Sequence, residues 1–145
     1  MNPAPASDIA HVIQLAVAPV FLLTGIGAML SVLSFRLSRV IDRARDLEER
    51  LPGASEDDGK AIHIELGMLG RRARLVNRAI TLSTACALLV CMVIGLLFIG
   101  AFFNLKFTAA IAWLFIASMA ILIVALLIFL KEIRLAVASL RIGPR

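Results

Sequence analysis

Tyrosine is absent from the sequence, tryptophan occurs once, and cysteine and histidine occur only twice each. Cys86 and Cys91 stand five residues apart on an apolar run, where a helix points them in different directions. That spacing implies neither a disulfide nor a chelating pair, and both read as small packing residues. There is no His/Cys cluster at metal-ligand spacing, no glycine-rich phosphate loop and no Ser/His/Asp set. An enzyme needs a convergent nucleophile, base and stabiliser, or a metal site. The expectation is therefore a chain with no catalytic role, no metal and no cofactor. The most telling scarcity is of charge. Residues 9–35, 79–105 and 107–130 contain no Asp, Glu, Lys or Arg. Without an ionisable group at depth, proton- or sodium-coupled transport is a poor reading. Inverted repeats and broken-helix glycine clusters, which mark transporters, are missing too.

What is present is apolar sequence in long pieces. Hydrophobic residues make up 61% of the 145 residues, and the mean hydropathy is +0.96. Each uncharged run is long enough to cross a hydrocarbon core of roughly 30 Å as a helix. A soluble bundle would need a polar face on each helix, and none of the runs has one. The sequence predicts an all-α membrane protein with a single membrane domain, residues 1–145, and spans at about 9–35, 80–104 and 107–130. The first run has no Lys or Arg before it and ends at Phe35-Arg36 rather than at small residues, so it does not read as a cleavable leader.

Basic residues set the orientation. They crowd residues 36–78 between spans one and two, and Lys131, Arg134, Arg141 and Arg145 follow span three. The turn between spans two and three has only Lys106. The positive-inside rule then puts the N-terminus outside and residues 36–79 and the C-terminus in the cytoplasm, in an inner membrane. His11 and His63 fall on opposite sides in that topology. The net charge of +5 belongs mostly to this arrangement and favours anionic headgroups as partners. A nucleic-acid partner is not expected, because the arginines are interleaved with Asp42, Asp46, Glu48, Glu49 and Glu65.

The polar middle is itself patterned. Leu33, Leu37, Val40, Ala44, Leu47 and Leu51 recur at alternating spacings of four and three; Ile62, Leu66, Leu69, Ala73, Val76 and Ile80 do the same. Two such stripes across a short connection predict an antiparallel helical hairpin, residues 36–79, continuing spans one and two with a coiled-coil-like seam. Pro52-Gly53 ends its first helix, and Ser55 caps its second ahead of Glu56, Asp57 and Asp58. Residues 1–7 are expected to be irregular, with Ser7 or Asp8 capping the first helix. Pro19 lies inside span one, and Gly100 and Asn104 lead into a tight turn. The basic tail, residues 131–145, is expected to continue as a helix on the headgroups or against the hairpin.

Two groups of residues are candidate sites. Thr24, Gly27, Ser31 and Ser34, extended by Ser38, form a small, weakly polar stripe on span one. It either packs closely against another helix or lines a water-filled path in an oligomer. At the membrane edge Arg36, Arg39, Asp42, Arg43, Arg74, Asn77 and Arg78 form an ion-pair or headgroup cluster. Arg39-Val40-Ile41-Asp42-Arg43-Ala44 is echoed by Arg74-Leu75-Val76-Asn77-Arg78-Ala79.

The segments AVAPVFLLTGIGAML, RLSRVIDRARDL and RRARLVNRAI, with Pro19, Phe21 and the paired Arg39/Asp42/Arg43 and Arg74/Asn77/Arg78, resemble bacterial domain-of-unknown-function family 2721. The likeness runs over residues 9–140. It implies a small three-helix protein of the bacterial inner membrane and carries no activity or substrate with it. Two roles follow from the residues: a self-assembling homo-oligomeric scaffold or interaction subunit, or a homo-oligomeric ion channel with a pore lined by the first span.

Overall fold

The computed structural model describes residues 4–140, with side chains described for 8–138, and it contains no strand among them. Three helices follow in order: α1, Ala4–Arg50; α2, Glu56–Phe103; and α3, Thr108–Leu140. At a rise of 1.5 Å per residue, α1 and α2 are each about 70 Å long, over twice the thickness of a hydrocarbon core. All three are long and apolar enough to cross a membrane.

No helix breaks where charge begins. α1 runs through Arg36 and α2 through Arg78 without interruption. α1 also starts earlier than a cap at Ser7 or Asp8 would allow. It begins at Ala4 with Pro5 in the first turn, where the missing N–H costs no hydrogen bond. α3 continues beyond the uncharged run, which ends at Leu130, to Leu140, and residues 141–145 of the expected tail lie outside the described residues.

The breaks that do occur have local causes. After Arg50 the chain tightens into a short 3-10 turn, Leu51–Gly53, with Pro52 inside it. Ser55 then caps α2: its Oγ accepts the Asp58 N–H at 3.3 Å and donates to Asp58 Oδ2 at 2.6 Å. At the other end of α2, Asn104 takes a left-handed φ of 53°, and the Leu105 N–H donates to Gly100 O at 2.9 Å. This is the 6→1 closure of a Schellman cap, with Asn in the place glycine usually holds. Gly100 suits this closure, because a Cβ there would make a tight 3.1 Å contact with Leu105 O.

The chain divides into two compact units. One comprises Met1–Leu30 and Leu82–Val124. Its core is Ile26, Cys86 and Val90, with Leu22, Leu30, Ile94, Ile121 and Leu122 packed around them. Cys86 Sγ donates to Ser118 O at 3.1 Å, and Ser118 Oγ donates to Phe115 O at 2.7 Å. Ser83 Oγ is buried here and has no hydrogen-bond partner among the described residues. The other unit comprises Ser31–Thr81 and Ala125–Arg145, and its core joins Val40, Leu47 and Leu69 with Ala44, Ile62, Leu66 and Ala73.

One spacing recurs on every helix. The buried residues of α1 include Pro19, Ile26, Leu33, Val40 and Leu47, each seven after the last. Those of α2 include Leu69, Val76, Ser83 and Val90, with Ala79, Cys86 and Val93 three residues beyond a member of that row. On α3 they are Ser118, Ala125 and Glu132. Seven residues are close to two helical turns, so each row keeps to one face. Little else is enclosed. Only 17%, 17% and 11% of the most apolar windows of the three helices are buried within the chain, so most of that surface faces outward.

Candidate functional site

The row on α3 ends on a charge. Glu132 is seven residues past Ala125, and its side chain is 1% exposed. A carboxylate taken out of water that far must be met by cations and hydrogen bonds. Two arginines meet it, both three residues beyond a buried row position: Arg36 after Leu33 on α1 and Arg72 after Leu69 on α2. Arg36 Nη1 donates to Oε2 at 3.1 Å. Arg72 donates to Oε1 through Nη2 at 3.0 Å and Nε at 3.3 Å. Both carboxylate oxygens are therefore engaged, by one guanidinium from each of the other two helices.

The three charges are not equally enclosed. Against Glu132 at 1%, the Arg36 and Arg72 side chains are 36% and 25% exposed. The guanidinium of Arg36 also lies 5.3 Å from the ring centroid of Phe129, one turn before Glu132 on α3. The arrangement ties three helices at one point. Two cations against one anion leave a net positive charge beside the carboxylate.

That charge opens onto a cleft of about 620 Å³ lined by Arg36, Arg39, Arg43 and Arg72 with Val32, Phe35, Val40 and Leu69. Arg39 sits over the Phe35 ring at 5.8 Å. Arg43 is paired with Glu65 at 3.0 Å and with Asp46 at 3.2 Å, and Asp46 also meets Arg50 at 3.1 Å. These outer pairs are half-exposed and contribute little to stability.

Of the expected membrane-edge cluster, the structure brings Arg36, Arg39 and Arg43 to one cleft and leaves the rest outside it. Asp42 is exposed and accepts Ser38 Oγ at 3.5 Å; Arg74, Asn77 and Arg78 are exposed on α2. The echo between the two arginine segments does not become a shared site, because Arg43 finds Glu65 instead. Glu132 and Arg72 were not among the residues singled out from sequence. A usable signal was there: Ser118, Ala125 and Glu132 share a heptad row, and small residues on such a row mark the inward face.

Thr24, Gly27, Ser31 and Ser34 all lie on exposed surface of α1. A Cβ placed on Gly27 would meet nothing within 4 Å. Thr24 Oγ1 donates back to Val20 O at 3.2 Å.

Compared with known sequences, residues 16–142 match the model of a family described as a protein of unknown function, DUF2721. No curated protein and no solved structure matches the chain.

Proposed function

We infer the role of this chain, which belongs to the DUF2721 family, from its own geometry: it is a non-catalytic, self-assembling scaffold or interaction subunit of the inner membrane. One observation carries the reading. α1 turns Ile26, Leu33 and Val40 inward, while Thr24, Gly27, Ser31 and Ser34 lie on its exposed surface, beside larger exposed residues such as Phe21 and Phe35. Small residues let transmembrane backbones approach closely, and a bare stripe of them is best used against a second helix. Since these four positions are exposed among the described residues, the helix that packs on them is assigned to another copy.

Mass measurement in detergent or nanodiscs tests this directly. Gly27→Leu should reduce the assembly to single chains while leaving the helical signal and thermal midpoint of the chain unchanged, because the new side chain has open space in its own chain. An assembly of unaltered mass would defeat the reading. The channel alternative has the same stripe facing water. The Thr24 hydroxyl, already donated to its own backbone, favours packing. A current from the purified protein that a bulky residue at Ser34 blocks would reverse that preference.

The topology belongs to the same proposal. The N-terminus lies outside; the segment around Pro52 and the residues after span three lie in the cytoplasm. The polar parts of α1 and α2 form an antiparallel hairpin with a coiled-coil-like seam. Support comes from pairing: Arg43 with Glu65, and Arg36 with Arg72 on one carboxylate, are both centred on Ala54. A cysteine at Ala54 (Ser55 is kept as the cap of α2) should resist an impermeant thiol reagent in intact cells. One at Lys106 should react. Cys86 and Cys91 are first changed to Ala, and the opposite labelling pattern would invert the orientation.

A further inference from the structure

The cleft beside Glu132 has a use that the helix tie does not exhaust. It gathers four guanidiniums, Arg36, Arg39, Arg43 and Arg72, and among the described residues no carboxylate lines it. Glu132 is enclosed behind Arg36 and Arg72 and neutralises only one of those two charges. Arg43 is met from its outer side by Glu65 and Asp46. Arg39 makes no ion pair among the described residues; its guanidinium rests on Phe35. The cleft therefore presents unneutralised positive charge with forked donors, the chemistry suited to a phosphate.

Its position selects the source of that phosphate. Arg36 is the first charge after the uncharged residues 9–35, so these guanidiniums stand where hydrocarbon gives way to headgroups. Val32 and Phe35, the cleft's members from the uncharged run, are exposed apolar side chains at 50% and 64%. A soluble phosphate would gain nothing from them, whereas a lipid lays its acyl chains along them. We propose that the cleft binds the phosphate of an anionic membrane phospholipid, with Arg39 as the guanidinium free to close on it. Basic pockets at the cytoplasmic ends of transmembrane helices recognise such headgroups by this combination. The inference needs the chain to span a membrane but not to assemble, because every lining residue comes from one chain.

The test uses the full chain in phosphatidylcholine nanodiscs, alone, with phosphatidylglycerol added, or with inorganic phosphate added. Wild type should retain phosphatidylglycerol over phosphatidylcholine when released for native mass spectrometry, and phosphatidylglycerol should raise its thermal midpoint. Arg39→Gln breaks no ion pair, so it should fold as wild type and hold phosphatidylglycerol about tenfold more weakly, the effect of one lost charge-assisted contact. Arg45→Gln removes the same charge from exposed α1 surface outside the cleft and should bind as wild type. Gly27→Leu chains, if single, should also bind as wild type, which separates this inference from the assembly reading. Equal losses in Arg39→Gln and Arg45→Gln would reduce the effect to general charge and overturn the site. No preference for phosphatidylglycerol, or equal protection by inorganic phosphate, would overturn the lipid assignment.

Discussion

Changing Arg36 and Arg72 together to methionine should lower stability by about 3–5 kcal/mol, the cost of stranding a buried carboxylate. The magnitude follows from the unequal burial of the three partners. Glu132 is enclosed at 1% exposure and loses both of its cations once the guanidiniums are gone. The reverse change, Glu132→Leu, strands two arginines that are 36% and 25% exposed, and long side chains of that kind swing out to solvent or headgroups. Its cost should be smaller, about 1–2 kcal/mol. Combining all three changes should restore most of the loss, because an apolar triad of similar volume is often as stable as the charged one. Chemical unfolding in detergent, run as a mutant cycle, measures each step. A double arginine variant as stable as wild type would show that the tie holds nothing.

The second large effect lies in the core of Val40, Leu47 and Leu69. Leu69 is 7% exposed, and Leu69→Ala should cost about 2–4 kcal/mol through lost contact and the void it leaves. Leu69→Asp should cost at least as much, because it loses the same contacts and sets a polar group against Val40 and Leu47. Leu37→Asp should be milder, since Leu37 is only half-buried. Glu49→Gln on exposed surface should stay within about 0.5 kcal/mol of wild type. Thermal melts with mass measurement report both stability and assembly. If Leu69→Asp melted and assembled like wild type, the seam would not be what holds α1 to α2.

Much of this architecture could be read before any coordinates. Leu33, Leu37, Val40, Ala44, Leu47 and Leu51, and their counterparts from Ile62 to Ile80, are all buried or half-buried, because a four-three repeat admits only one inward face. Ser55 and Asn104 were legible for a similar reason: caps are set by one or two side chains and little else. The centre at Glu132 was not legible in the same way. Its neighbours Lys131 and Arg134 gave it the look of an ordinary charged end to a span, and the strongest repeat in the sequence drew attention to Asp42 and Asn77 instead. Which carboxylate an arginine meets depends on the rotation of a third helix. Local pattern does not encode that rotation; the sparse row Ser118, Ala125, Glu132 does. The small stripe on α1 was legible as a spacing, but its exposure follows only from what the other face of α1 buries.

The tie at Glu132 also imposes an order on biogenesis. Arg36 precedes its carboxylate by 96 residues and Arg72 by 60. At about 5–20 residues per second, roughly 5–20 s of synthesis separate the first arginine from its partner. Through that interval α1 and α2 have their apolar rows to pair but two unclaimed guanidiniums, and α3 brings the matching charge only after both are made. A chain halted before residue 132 carries a lasting excess of positive charge at that point. The end of α3 thus works as a latch, closing only on a chain that has been made past its third span.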